Sequence, residues 1–158
     1  MNHNRTKMFT LFASNTPRVL TGAARVVLSV VLLGAALGKL LDPSLFLKFV
    51  SIIFGVGVFG AKVLFLLTVC LEALLGGGLL LMGKQPWIYL STGVLFLSFA
   101  GIVAYAIIFD VSATCGCFGA LLEAKANDVS LIRNVVLAAI ALFLTVELRD
   151  IEKTSSAA

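Results

Sequence analysis

Charge is scarce in this chain: 13% of its 158 residues are Asp, Glu, Lys or Arg, about half of what a soluble globular domain carries. That excludes an ordinary water-soluble fold. The 12 Lys and Arg stand against 8 Asp and Glu, and the cations are scattered, so there is no basic stripe for a nucleic acid. Histidine occurs once, at His3, which excludes a proton relay built on imidazole. Methionine and cysteine occur three times each, and a closed zinc site needs four ligands. One chain therefore cannot complete such a site; a soft metal held on thiolates would need ligands from a second chain.

Apolar residues fill the space: they make up 60% of the chain, and its mean hydropathy is +1.09. Disorder and collagen-like repeats fall at the same step. A helix needs about 20 mostly apolar residues to cross the roughly 30 Å of hydrocarbon in a bilayer. Four such segments fit, at residues 19–41, 61–83, 86–109 and 129–146. The expected fold is all-α, a four-helix transmembrane bundle in a lipid bilayer, with no room for a second, soluble domain. Residues 1–18 form a polar, basic N-terminal segment, residues 19–148 the membrane domain and residues 149–158 a charged tail. The basic start resembles a secretory signal in layout, but its apolar run begins late and no small-x-small site follows. It is read as uncleaved.

Local signals set the boundaries. Asp42-Pro43 stops the first span, because proline disfavours helix in the residue before it. The stretch Phe46 to Gly60 is apolar but short, and reads as a re-entrant or interfacial segment. Gly34 and Gly38 form a small-xxx-small pattern suited to close approach by another helix. Gly76-Gly77-Gly78 permits close packing or a kink. Lys84-Gln85-Pro86 forms a tight turn, with Trp87 and Tyr89 placed as an aromatic belt.

Four spans put both termini on one side. If that side is the cytoplasm, it holds Arg5, Lys7, Arg18, Arg25, Lys84, Arg149 and Lys153, seven cations. The other side holds Lys39, Lys48, Lys62, Lys125 and Arg133, five cations. The positive-inside rule then favours cytoplasmic termini and an outward-facing connection between the third and fourth spans. Disulfides persist on that side.

That connection carries Cys115-Gly116-Cys117-Phe118-Gly119. A disulfide over one intervening residue requires a sharp bend, which Gly116 makes accessible. Such a staple removes little loop entropy, and strained exposed disulfides are the labile ones, so a redox-active pair is the preferred reading. Soft-metal binding and two ordinary loop cysteines remain open beside it. Glu72 lies about 15 Å into the second span, near the bilayer midplane, where a charge costs roughly 2.5–3.5 kcal/mol. It is expected to be protonated, or paired with Arg25, Lys39 or Arg133; a functional acid and a neutral carboxyl joining two helices are equal readings. Asp110 is the other acid available for a proton relay. Cys70, two residues before Glu72, points about 200° away from it and reads as a small buried hydrophobe, with a third thiol near the outer half of the bundle as the alternative. Arg25, Lys39 and Arg133 read as span-end anchors, although Arg133 would also serve to lower a thiol pKa or to bind an anionic head group.

Together, Gly38-Lys39-Leu40-Leu41-Asp42-Pro43, Glu72, Cys115 to Gly119 and Arg133-Asn134 resemble the methylamine-utilisation MauE family, part of the wider DoxX-like group of four-helix membrane proteins. The resemblance covers residues 20–148. It implies a bacterial inner-membrane protein associated with redox maturation of periplasmic proteins; in the namesake system the client is the disulfide-rich small subunit of methylamine dehydrogenase. Carried over by position, Cys115 and Cys117 are the redox pair, with Glu72, Lys39 and Arg133 as polar residues of the bundle. The implied partner is a periplasmic thiol or disulfide protein, thioredoxin-like or a client. A quinone would suit as final electron acceptor in a membrane, although no quinone-binding motif is visible. The competing classes are a metal or small-molecule carrier and a non-catalytic assembly factor.

Overall fold

The structure, a computed structural model, describes residues 18–83, 85–109 and 128–156, with side chains described between 21 and 149 of those ranges. Five helices occur among the described residues: α1 (Arg18–Leu41), α2 (Pro43–Phe54), α3 (Val58–Leu81), α4 (Pro86–Ile108) and α5 (Asp128–Ser156). Among the described residues, prolines stand only at the first positions of α2 and α4, where the missing N–H deprives the helix of nothing. The four long helices have 24, 24, 23 and 29 residues, or about 35–44 Å at 1.5 Å per residue. All four are long and apolar enough to cross a membrane. The chain is an all-helical, membrane-spanning bundle.

The spans fall within a few residues of their sequence-based limits, except at the C-terminal end. There α5 continues from the expected end at Val146 through most of the charged tail to Ser156. No Gly or Pro interrupts residues 128–156, and Glu, Leu, Arg and Lys are good helix formers. The expected non-spanning segment begins as α2, whose 12 residues give about 18 Å. Asp42 caps it, accepting from the Ser44 N–H at 3.0 Å and the Ser44 hydroxyl at 2.6 Å. Those two bonds hold the Asp42 carboxyl below the usual carboxylate range, so the charged cap persists at neutral pH and is lost only as pH falls through that lowered value. Gly55, at φ +61°, ends α2 in a left-handed conformation that glycine adopts without strain. Phe46, Phe49 and Val50 bury the inner face of α2, packing with Ala61 of α3 and with Val103 and Ala106 of α4.

The long helices associate as two intimate antiparallel pairs, α1 with α3 and α4 with α5, and meet more sparsely across the seams between the pairs. A groove of about 740 Å³ marks the α3–α4 seam, and one of about 370 Å³ the α1–α5 seam. Toward the end where α1 begins, the interior is apolar: Leu28, Leu32, Leu79, Ile88, Phe96, Leu137, Ala138, Ala141 and Leu144 form one buried cluster.

Within the chain, a close approach between α1 and α3 is made at Gly76 and not at Gly34. A Cβ at Gly34 would meet nothing within 4 Å, whereas one at Gly76 would lie 2.9 Å from Leu33 Cγ and 3.2 Å from Leu32 Cβ. Ser29 locks this crossing by donating its hydroxyl to the Gly76 carbonyl at 2.7 Å. The α3 helix runs unbroken through its three glycines, and of the three it is Gly76 that serves close packing. We expect Gly76→Ala to destabilise the protein by about 1–3 kcal/mol through overpacking. Gly77→Ala, where a Cβ meets nothing within 4 Å, should be neutral or stabilising by helix propensity. Thermal unfolding in detergent micelles compares the two, and equal effects would refute this assignment.

Two side chains near the α3–α4 turn behave differently from each other. Trp87 is exposed, as an aromatic belt requires. Tyr89 is not an anchor of this kind: it is 3% exposed and donates its hydroxyl to the Gly83 carbonyl at 3.0 Å, tying the turn to α4.

Candidate functional site

The buried stripe of α3 runs through Ala61, Val69, Glu72, Gly76 and Leu79, spaced as one face of a helix. Glu72 therefore faces inward on the same register as the core leucines. On α1 the inward stripe runs through Leu28, Leu32, Ala35 and Lys39. Antiparallel packing of α1 on α3 brings the two charged positions together: Lys39 Nζ donates to Glu72 Oε1 at 2.6 Å, with side-chain exposures of 0% and 1%. Of the alternatives for Glu72, the structure selects pairing with Lys39. The anchor reading of Lys39 is corrected at the same time, because its position on the inward stripe keeps it from reaching the membrane surface.

The surroundings of Lys39 Nζ draw on every helix. The Phe46 ring of α2 has its centroid 5.6 Å away and the Phe99 ring of α4 5.5 Å away, both within cation–π range. Arg133 of α5, half-buried, is close enough for its like charge to act on Lys39. Glu72 Oε2 is buried and has no hydrogen-bond partner. The result is a carboxylate–ammonium pair in a site walled by aromatic rings. Such a pair cannot exchange freely with water, so its attraction is little screened and losing either member leaves a buried charge.

Arg25, grouped with these residues from the sequence, belongs elsewhere. Its guanidinium donates to the carbonyls of Leu79 and Leu80, caps the C-terminus of α3, and fills the space that a side chain at Gly83 would need. It is a helix-end clamp and not a partner of Glu72. The expectation for Cys70 is also corrected: it is exposed on the outer face of α3, because the inward face is taken by Glu72 and its neighbours. Phe46 and Phe99 went unnoticed in the sequence, since nothing in helical periodicity shows which of 12 phenylalanines faces a cation. Cys115, Cys117 and Asp110 lie outside the described residues. Among the described residues no group of three or more His, Cys, Asp and Glu could hold a metal ion.

A family model described as methylamine utilisation protein MauE matches residues 17–147. The chain belongs to the MauE family. No curated protein and no solved structure matches it. In this MauE-family chain the matched region contains α1 to α4, the connection to α5 and most of α5, so the Lys39–Glu72 site and the Cys-Gly-Cys segment both fall inside it.

Proposed function

We propose that this MauE-family protein carries out thiol–disulfide exchange through Cys115 and Cys117, at the outer face of a bacterial inner membrane, during maturation of periplasmic proteins. The observation that carries this reading is a Cys-Gly-Cys segment on the connection between two spans of a MauE-family chain. Family membership supports a redox-associated role and, by resemblance, a disulfide-rich client of the methylamine dehydrogenase type. The charge balance supports the orientation. The side of the termini carries seven cations against five on the side carrying the cysteines.

The exchange needs both sulfurs. A thiolate of the pair attacks one sulfur of a partner disulfide, forming a mixed disulfide as one partner thiolate leaves. The second thiolate then attacks the first cysteine's sulfur, the other partner thiolate leaves, and the pair becomes the disulfide. Two electrons have passed to the partner; the same steps in reverse oxidise a client dithiol.

Differential alkylation in intact cells tests the reading. A membrane-impermeant thiol reagent, applied with and without prior reduction, should label Cys115 and Cys117 only after reduction. Labelling without reduction would mean a resting dithiol, favouring a reductant or a metal site. No labelling in either state, with both thiols reactive after lysis, would overturn the outward orientation.

A further inference from the structure

We propose that the α1–α5 seam is a lipid site selective for a headgroup bearing a primary ammonium, as in phosphatidylethanolamine, and that Glu147 reads that headgroup. The groove of about 370 Å³ along this seam has small side chains in its walls, Ala24 of α1 and Ala139 of α5, where the two helices meet only sparsely. Ile140 and Phe143 complete an apolar trough. Ala139 and Phe143 are exposed, so the trough opens sideways, toward the hydrocarbon of the bilayer.

Position along the spans says what kind of molecule fits. From Ala139 to Glu147 is about 12 Å at 1.5 Å per residue, most of the roughly 15 Å of hydrocarbon in one leaflet. The polar lining residues Thr21 and Glu147 lie together at one end, where the α1 span begins and the α5 span is two residues from finishing. That end is at headgroup depth and the other is among acyl chains. An occupant with an apolar chain and a polar head in this order, reached from the membrane, is a lipid.

Glu147 sets the headgroup. It alone is charged among the described residues lining the groove, and among the described residues no cation pairs with it. Its Oε2 is turned in among the helices without a hydrogen-bond partner. The terminal torsion of a glutamate is broad, so a small rotation brings this oxygen to a donor in the groove. A primary ammonium offers both the opposite charge and N–H donors. A choline head offers the charge without the donors. A glycerol head brings the phosphate's negative charge to the acid with no cation to offset it.

This inference does not depend on the cysteine chemistry and is tested without it. The full chain is loaded in mixed micelles with equal amounts of phosphatidylethanolamine, phosphatidylcholine and phosphatidylglycerol, and retained lipid is read by native mass spectrometry. One phosphatidylethanolamine should be held about tenfold over either competitor, the worth of one charge-assisted hydrogen bond. Glu147→Gln should erase the preference without moving the unfolding midpoint in lipid-free micelles. Ala139→Leu, a change at an exposed position, should fill the trough and lower retention of phosphatidylethanolamine. Equal retention of the three lipids by the wild type would overturn the proposal, as would a preference that survives Glu147→Gln. A dimer in lipid-free micelles that Ala139→Leu dissociates would overturn it too, because a second chain would then be the occupant.

Discussion

Replacing Lys39 with methionine should destabilise the bundle by up to about 3.7 kcal/mol at pH 7, and replacing Glu72 with leucine by up to about 4.6 kcal/mol. The double variant should be no less stable than the wild type. The ceilings follow from the escape open to each orphaned charge. A carboxylate left alone in the bundle can take up a proton, and an ammonium left alone can release one; each costs the gap between its ordinary pKa and the ambient pH, at about 1.36 kcal/mol per unit. That gap is larger for lysine than for glutamate, and Lys39 would also remain beside Arg133, so loss of Glu72 is the more damaging change. Removing both charges removes the problem, since two apolar side chains of similar volume fill the same space without desolvating an ion. Unfolding of the four proteins in micelles or bicelles gives the double-mutant cycle. A double variant as unstable as the sum of the singles would show that the two residues act separately, contrary to the 2.6 Å contact.

The Cys115→Ser/Cys117→Ser variant should lose client maturation entirely while unfolding at the wild-type midpoint. Activity disappears because no mixed disulfide can form, and stability survives because a bridge over one intervening residue constrains little of the unfolded chain. The single variants should differ from each other. Serine at the attacking position abolishes capture of the partner, whereas serine at the resolving position traps it as a covalent adduct visible on a non-reducing gel. That asymmetry assigns the two roles. Full maturation in the double variant would sink the exchange mechanism and leave a scaffold that docks its client through helices.

The spans were legible in the sequence because a bilayer imposes a length and an apolar composition that few other folds share, and prolines 43 and 86 marked their limits. Glu72 was legible for the same reason, as an acid where hydrocarbon is expected. Its partner was not. Three cations lay within reach by span position, and the choice of Lys39 depends on the rotation of α1 against α3, which the Leu32, Leu33 and Gly76 contact fixes. Arg25 shows the same limit from the other side: its position near a span end suggested a lipid anchor, and the carbonyls it caps belong to a helix more than 50 residues away. The register of α3 was half legible. The spacing correctly put Cys70 and Glu72 on opposite faces, but cysteine's general preference for burial assigned Cys70 the wrong one.

The apolar cluster from Leu28 to Leu144 has a consequence for the cell's energy supply. A charged residue in mid-membrane is dangerous to its host, because a file of water reaching it from both sides would short-circuit the proton gradient. Here the Lys39–Glu72 pair has leucines, alanines and aromatic rings packed on the side toward the start of α1, several of them fully buried. Ions arriving from that direction meet a stopper rather than a pipe. A plug of this kind on one side is what would keep a charge buried in the bundle from becoming a continuous drain on the gradient.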